Sequence, residues 1–302
     1  MAGTIWEFFG YRAEDTSDTA LEAAHAERCP IIGQRCEKTF NDGVISGVCT
    51  LKPMTTGPVI CCPIRLYADN YKILRDVAVR AFDGDYDLIP RRDAVAWSKT
   101  EHKPCVAVFG KGWGGELHLP QKMGTGSYFV DWVLAKLNAT GELEEFVAIE
   151  VQTIDTTGNY RNGYQALKVD REIVQTTAGL NWENVSKRIL PQLIYKGRVL
   201  QREELCRKGL FFVCPKPVSE RIMQRLGGVD NLSRYAALQP SSLTFAVYNH
   251  DPDYEYNDGE LVPLSEAFSH STIVQQVQEA FNNVTLPEEN VYRTAILKAL
   301  GI

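Results

Sequence analysis

The sequence of 302 residues lacks several features that define special classes of protein. It has no apolar run of about 18 residues, so we expect no transmembrane helix. No internal repeat or low-complexity stretch occurs. With 44% hydrophobic and 23% charged residues, the composition is that of an ordinary globular domain. A wholly disordered chain, a collagen-like repeat and a long coiled coil are therefore excluded.

The sequence also lacks an excess of positive charge and an N-terminal secretion signal. The 38 acidic residues outnumber the 32 basic ones, which gives a net charge of -6. A globally basic nucleic-acid-binding protein is therefore excluded, whereas a local basic cleft is not. The N-terminus has no basic segment followed by an apolar one, so we expect a cytoplasmic protein.

Cysteine, by contrast, is abundant and unevenly distributed. Five of the eight cysteines fall within 34 residues: Cys29, Cys36, Cys49, Cys61 and Cys62. In a reducing compartment such a cluster more often binds a metal than forms disulfides. Four thiolates would select Zn²⁺ or a single iron, with only one of the adjacent Cys61 and Cys62 as a ligand. The alternative is that these cysteines are small buried apolar residues.

The composition changes along the chain, which predicts two parts. Residues 1–75 are rich in Cys, Gly, Pro and Thr and resemble a small, loop-rich module that a metal would help to hold. We expect this metal-binding module at 1–75 and the main domain at 76–302. Helical periodicity at 67–82 leads from one part to the other. The following segment, 83–95, is predicted to be a loop with Pro90 as a breaker.

The main domain shows alternating strand and helix patterns. Short apolar runs predict strands at 105–110, 115–120, 127–137, 144–155, 209–215 and 241–251. Helical spacing predicts helices at 181–205 (interrupted by Pro191), at 219–228 with Ser219 as the cap, and at 270–284. This mixture indicates an α/β fold with a central sheet and flanking helices.

Three acidic residues lie on three successive predicted strands: Glu116, Asp131 and Glu150. Gln152 projects to the same face as Glu150, because residues i and i+2 of a strand share a face. Asp131 and Glu150 sit in apolar sequence, where a carboxylate is costly unless it is paired or binds a cation such as Mg²⁺. The alternative is that each acid faces solvent or pairs with a Lys or Arg. The pattern matches the D…(D/E)-x-K plan of nucleases, with Gln152 at the usual lysine position.

These motifs resemble the NotI family of type II restriction endonucleases, in the PD-(D/E)XK superfamily. The similarity covers roughly residues 5–215. It is carried by EFFGYR at 7–12, CP at 29–30, Cys36, GVC at 47–49, CP at 62–63, GGEL at 114–117, FVDW at 129–132, EVQT at 150–153, GNY at 158–160, and the NVSKR…Q…YK pattern at 184–196.

The resemblance implies the fold, the activity and the metals. The fold would be a PD-(D/E)XK nuclease with a mixed central sheet flanked by helices and a small N-terminal four-cysteine module. The activity would be that of a prokaryotic homodimer that cuts double-stranded DNA at a GC-rich palindrome with Mg²⁺. The chain length is closer to that of EagI-type relatives, so CGGCCG is the expected target. The resemblance implies iron in the four-cysteine site, and zinc remains open: the ligands would be Cys29, Cys36, Cys49 and Cys62.

The same resemblance assigns catalytic roles by position. Asp131 and Glu150 would bind Mg²⁺, with the main-chain carbonyl of Val151 as a further ligand. Gln152 would orient the attacking water through its amide, since it cannot act as a cation or as an ordinary acid or base. Glu116 would bind a second metal or position a water. The family itself has Gln at the lysine position, so the substitution is consistent with activity.

Basic residues near these motifs are candidates for DNA contacts. Arginine commonly binds guanine in the major groove, which fits a GC-rich target. The candidates near the catalytic strand and the following helix are Arg161, Arg171, Lys187 and Arg188, and Lys111 and Lys122 are candidates for phosphate contacts. The alternative for each is a solvated surface charge.

Two other functions remain open from the sequence. One is a non-catalytic DNA-binding or accessory protein with a four-cysteine metal site. The other is a metal-dependent repair nuclease that recognises DNA structure instead of sequence. Discrete digestion fragments would separate a restriction endonuclease from both.

We predict that Cys36→Ser lowers the stability or solubility of the protein more than it alters its chemistry, because a closed four-cysteine site contributes folding energy. Thermal unfolding and fragment mapping of the variant measure the two effects separately. A variant that folds normally but recognises a different sequence would contradict a purely structural role.

Overall fold

A mixed sheet with helices on both faces forms the centre of the molecule, as the sequence predicts. The computed structural model of the chain describes residues 3–117, 129–283 and 288–302. Within these ranges no helix is long and apolar enough to cross a membrane.

The strands and helices are numbered in chain order. The strands are β1 (Gly3–Phe8), β2 (Tyr11–Arg12), β3 (Arg28–Cys29), β4 (Gln34–Arg35), β5 (Val48–Pro53), β6 (Val59–Ile60), β7 (Leu88–Pro90), β8 (Cys105–Gly110), β9 (Trp132–Leu137), β10 (Leu143–Val151), β11 (Thr156–Thr157), β12 (Gly179–Leu180), β13 (Leu210–Pro215), β14 (Ser242–His250) and β15 (Leu264–Ile273). The α-helices are α1 (Asp18–His25), α2 (Ala68–Phe82), α3 (Arg91–Glu101), α4 (Arg161–Val169), α5 (Leu190–Leu200), α6 (Lys216–Arg225), α7 (Val274–Asn282) and α8 (Val291–Leu300). Short 3₁₀ segments occur at Pro63–Tyr67 and Val229–Asn231, and a π-helical segment occurs at Val185–Ile189.

The main sheet mixes parallel and antiparallel neighbours. Among the described residues it has seven strands in the order β15-β14-β13-β10-β9-β8-β7. Strands β10, β13 and β14 run parallel to one another, and β9 is antiparallel to both β10 and β8. The central strand β13 is buried along its whole length, which explains its continuous apolar sequence.

Alternate residues of the central strands project to opposite faces of the sheet and belong to two separate apolar cores. Ala148 and Phe212 pack on the face covered by α5, α6, α7 and the N-terminal segment. Ile149 and Phe211 pack on the opposite face, against α2. This alternation follows from the strand period of two. Glu150, two residues after Ala148, therefore projects to the face covered by α5.

The N-terminal segment forms a smaller sheet that packs directly on the main domain. Among the described residues it contains four strands in the order β2-β1-β5-β6. Gly3 forms a reciprocal pair of main-chain hydrogen bonds with Thr176. Residues of the segment share one apolar core with α5, α6 and β14. The predicted division at residue 75 falls inside α2.

A buried ion pair inside this segment contacts the main domain through His250 and Val262. Glu7 on β1 and Arg65 are both fully buried, and Arg65 Nη2 lies 2.8 Å from Glu7 Oε1. His250, at the end of β14, places its Nε2 3.1 Å from Glu7 Oε2. Arg65 also donates to the carbonyl of Val262. Burial alone would raise the pKa of Glu7, but Arg65 and His250 outweigh it and hold the pKa at about 2.

Several local predictions were wrong, each for a physical reason. Residues 88–90 form the short edge strand β7, and Pro90 precedes α3, because a proline is tolerated at a sheet edge and just before a helix. Helix α6 begins at Lys216, so Ser219 lies inside it and is not its cap. Glu116 is not on a strand: Gly115 forms an isolated bridge with Gly110, and Glu116 and Leu117 belong to neither a strand nor a helix.

The predicted helices are shorter than their patterns. The 181–205 pattern is divided into the π-helical segment and α5, and Pro191 lies in the first turn of α5, where its missing N–H costs nothing. Residues 270–273 of the 270–284 pattern belong to β15, and the helix begins only at Val274. The strand at 105–110 is confirmed. The helix predicted at 67–82 is confirmed from Lys72 onward, because Asp69, Asn70 and Tyr71 have left-handed backbone angles.

Removing one member of the buried pair should destabilise the protein. Arg65→Met leaves the Glu7 carboxylate without its main partner, and breaking such a pair costs about 3–5 kcal/mol. Glu220→Gln, in an exposed pair with Lys216, is the control and should cost about 0–1 kcal/mol. Urea unfolding at pH 7 measures both, and equal midpoints for Arg65→Met and wild type would contradict the assigned role.

The same pair predicts the direction of the pH dependence. The pKa of Glu7 lies at about 2 in the folded protein, below its ordinary value of 4.5. Its stabilising contribution is therefore complete above the ordinary value and is lost as the pH falls toward 2. Between these limits, acidification should lower the free energy of unfolding less in Glu7→Gln than in wild type.

Candidate active site

A cleft of about 1590 Å³ lies between the main sheet and the N-terminal segment. Its floor is formed where β9 begins and β10 ends, and α5 forms one wall. The opposite wall comes from the cysteine-rich segment, including residues 32–41 and 61–64. The segments that contain the predicted site residues therefore border the same cleft.

Asp131 and Glu150 lie side by side on the floor of this cleft. The register of β9 against β10 pairs Trp132 with Ile149, so Asp131 lies opposite Glu150 one step further along. Directly opposite residues project to the same face of a sheet. The Val151 N–H donates to Asp131 Oδ2 over 2.7 Å and fixes this carboxylate. The structure thus brings together these two acids, which the sequence predicted on neighbouring strands.

The surroundings of the two carboxylates disfavour their combined negative charge. Burial, followed by the charge of Asp131, raises the pKa of Glu150 to about 7. The protein around the cleft also desolvates Asp131 and raises the pKa of its carboxyl. Glu150 Oε2 is buried and has no hydrogen-bond partner among the described residues. A buried acceptor without a partner is costly, and a bound cation would satisfy it.

Lys196, the last residue of the 184–196 motif, has no role assigned from the sequence and completes the floor of the cleft. Lys196 on α5 places its Nζ 2.6 Å from Glu150 Oε1, and the two side chains are only 12% and 8% exposed. Arg188, Gln192 and Lys196 all line the cleft at intervals of four residues. That interval is the signal that could have identified Lys196, because residues four apart share one face of a helix.

Gln152 and Glu116 occupy different depths of the cleft. Gln152 is half-buried beside Glu150, and its amide Nε2 donates to the carbonyl of Thr153 over 2.9 Å. Glu116 is exposed at the edge, where its main-chain carbonyl accepts a hydrogen bond from Arg91. The main chain of Val151 borders the cleft between Glu150 and Gln152.

Tyr67 links the cysteine-rich segment to the carboxylates and was also missed by the sequence analysis. It ends the short 3₁₀ segment that begins directly after Cys62. Its ring packs edge-on against Trp132, with 5.4 Å between the ring centroids. Burial, followed by the charge of Asp131, raises the pKa of Tyr67, and both residues line the cleft.

The four predicted cysteine ligands are buried and have free thiols. The Cys49 thiol donates to the Gly47 carbonyl over 3.8 Å, and its proximity to Cys62 is the main reason that the pKa of Cys62 falls to about 6. Within the described ranges, no group of three or more His, Cys, Asp or Glu side chains is arranged closely enough to hold a metal ion. The structure therefore gathers these thiols without a closed metal site.

Main-chain N–H groups are directed at three of these sulfurs. Those of Ile31 and Ile32 face Cys29, those of Lys38 and Gly47 face Cys36, and those of Ile64 and Arg65 face Cys62. At Cys29 and Cys62 the contacts follow a Cys-Pro pair. Cys61 faces elsewhere, with Lys38 Nζ 3.1 Å from its sulfur.

Two of the predicted DNA contacts line the cleft. Lys111 Nζ lies 2.8 Å from Glu37 Oε2, which connects the loop after β8 to the cysteine-rich segment. Arg188 Nη1 lies 3.3 Å from Asp155 Oδ2. Both ion pairs are exposed, so each contributes little stability and can exchange its carboxylate for another anion.

The other predicted DNA contacts differ in their ion-pair or hydrogen-bond partners and in their exposure. Arg161 pairs with Asp42 over 2.7 Å. Lys187 pairs with Glu183 on the exposed surface. Lys122 lies outside the described residues. The guanidinium of Arg171 is half-buried and donates to the main-chain carbonyls of Asp15 and Arg12, so it has an intramolecular role.

Comparison with known proteins identifies one matching family. A family model described as Restriction endonuclease NotI matches residues 20–207, which is more than half of the chain. The matched range contains the four predicted cysteine ligands, the two carboxylates of the cleft floor and Lys196. A search of curated proteins finds no match.

We predict that Mg²⁺ stabilises the DNA-free protein through the carboxylate pair. At about ten times the dissociation constant, an ion bound only to the folded state adds about 1.4 kcal/mol. The melting temperature should rise accordingly in wild type and in Glu203→Gln, which removes another carboxylate of the cleft. The rise should disappear in Glu150→Gln and Asp131→Asn. An equal rise in all four proteins would place the ion elsewhere.

Proposed function

The chain belongs to the NotI family of restriction endonucleases and is a site-specific deoxyribonuclease, and from this premise we propose that it hydrolyses both strands of a GC-rich palindrome with Mg²⁺. The observation that carries the metal-dependent part is the buried Asp131–Glu150 pair with its unpartnered oxygen at the floor of a large cleft. A cation and a phosphodiester would meet at this point.

The residues present fit Mg²⁺. Two adjacent carboxylates supply hard oxygen ligands, and the free Oε2 of Glu150 is available to a cation. Asp131 and Glu150 would hold the ion, with the Val151 carbonyl beside them. When bound, Mg²⁺ acidifies a water and stabilises charge on a phosphoryl oxygen.

The chain's own groups orient the reaction. The Val151 N–H keeps the Asp131 carboxylate turned toward its site. The Gln152 amide would hold the attacking water, because it offers both a donor and an acceptor without titrating. Glu116, at the edge of the cleft, would position a second water or ion. This arrangement, on a mixed sheet, supports a PD-(D/E)XK type of nuclease.

DNA would lie along the cleft between the sheet and the cysteine-rich wall. Lys111 and Arg188 line it and would exchange their present carboxylate partners for phosphates or bases. Arg161, Lys187 and Lys122 remain proposed contacts. We do not retain Arg171, because its guanidinium is occupied by the main chain.

A palindromic target fits a two-fold symmetric enzyme, since each copy would read and cut one half-site. We therefore propose a homodimer that acts on double-stranded DNA in the cytoplasm of a prokaryotic cell. By the resemblance to EagI-type enzymes, the proposed target is CGGCCG.

The four-cysteine site is proposed to hold iron or zinc. The support is the donor chemistry, because main-chain N–H groups favour the thiolate of Cys62, whose pKa is lowered, and oppose the rise in the pKa of Cys29 that burial causes. Cys36 and Cys49 would complete the set. Cys61 is not included, because its sulfur contacts Lys38. A metal there would fix the cleft wall and the position of Tyr67, which is a structural role.

Digestion of phage and plasmid DNA with Mg²⁺ or EDTA, followed by sequencing of the fragment ends, tests the proposal. Wild type should give discrete ends only with Mg²⁺. Asp131→Asn should abolish cutting and should tighten DNA binding in EDTA, because it removes a negative charge that faces phosphate. Glu220→Gln on α6 is the control. DNA left intact by wild type with Mg²⁺, or cut normally by Asp131→Asn, would overturn the assignment.

A further inference from the structure

Lys196 has a position that a surface ion pair does not explain. It lies on α5, and the next residue, Gly197, packs against Val274 of α7 so closely that a Cβ would come within 2.4 Å of a Val274 methyl. The glycine lets the two helices approach each other on one side. Lys196 is thereby fixed beside the sheet, where its Nζ reaches Glu150.

The ammonium group of Lys196 is only partly used by the protein. A lysine carries three N–H donors, and within the described ranges Nζ makes a hydrogen bond to Glu150 Oε1. Lys196 lines the cleft, and its side chain is 12% exposed. Burying a positive charge this far is costly unless the charge serves a partner. The remaining donors can therefore serve a group that enters the cleft.

The strand position two residues after Glu150 lacks a positive charge. The D…(D/E)-x-K plan places a lysine there, and this chain has Gln152, whose amide is turned to the Thr153 carbonyl. Lys196 approaches the same carboxylate from the helix on the side that faces the cleft. We propose that Lys196, supplied by α5, hydrogen-bonds a non-bridging oxygen of the scissile phosphate and stabilises the negative charge that develops there during hydrolysis.

This inference rests on the proposed function, and it makes Lys196 a catalytic residue that touches the substrate. It also assigns two functions to different parts of the site. Asp131 and Glu150 would bind the metal ion, and α5 supplies a fixed positive charge at Lys196. A preorganised donor to a developing charge contributes about 10²–10³ in rate. Lys196→Met should therefore reduce single-turnover cleavage by about that factor, Lys196→Arg should retain part of the activity, and Lys216→Met on α6 should leave it unchanged.

A purely structural role for Lys196, as the partner of Glu150, would also reduce cleavage, so binding must be measured without metal. The test uses Glu150→Gln as the reference, since this background removes the ion pair from both proteins that are compared. Binding of a short duplex containing CGGCCG is measured in EDTA at increasing salt for Glu150→Gln and for Glu150→Gln/Lys196→Met. Each phosphate contact contributes about 0.9 to the slope of log K against log salt concentration.

The proposal expects the slope to become shallower by about 0.9 when Lys196→Met is added, because one phosphate contact is lost. Lys216→Met in the same background should not change the slope. Identical slopes with and without Lys196 would overturn the proposal. If Asp131→Asn is inactive while the slopes are identical, only the role of Lys196 fails. If wild type does not cut DNA with Mg²⁺, the proposed function fails as well.

Discussion

The buried pair of Glu7 and Arg65 determines how the two parts of the molecule fit together. Neither side chain reaches solvent, so each must find its counter-charge inside the protein. His250 and the Val262 carbonyl, from the end of β14 and the chain just before β15, complete the cluster. The chain between Cys62 and Tyr67 is thereby fixed. One electrostatic requirement thus sets both the end of the cysteine-rich wall, at residues 61–64, and the position of the Tyr67 ring in the cleft.

A second requirement acts at the floor of the cleft, where the sheet holds two carboxylates in apolar surroundings. The pleat and the register force Asp131 and Glu150 together, and only Lys196 offsets their charge among the described residues. The pKa of Glu150 at about 7 reflects this conflict. Such arrangements lower the stability of a fold and are typical of sites that bind cations or perform chemistry. On both faces of the sheet, large apolar cores surround this site.

The sequence predicts the elements that depend on local residue patterns. It does not predict contacts that depend on the packing of segments far apart in the chain. The strands at 105–110 and 210–215 follow from short apolar runs, and the proximity of Asp131 and Glu150 follows from their neighbouring strands. Lys196 lies in the 184–196 motif, but its contact with Glu150 depends on the packing of α5 on the sheet. Ser219 resembles a helix cap, but the strand β13 ends at Pro215 and the helix starts at once. The sequence predicts Arg171 as a DNA contact. In the structure its guanidinium donates to two main-chain carbonyls more than 150 residues earlier in the chain.

The sequence distance between the members of the buried cluster affects how the protein is made. Arg65 is synthesised long before His250 and Val262, which are separated from it by 185 and 197 positions. Until those residues have left the ribosome, the N-terminal sheet cannot bury its charges with all their partners. The two walls of the cleft are therefore completed late in translation, after most of the sheet has emerged. A nascent chain that stops short of β14 carries both carboxylates and Lys196 but lacks the junction that holds the opposite wall in place.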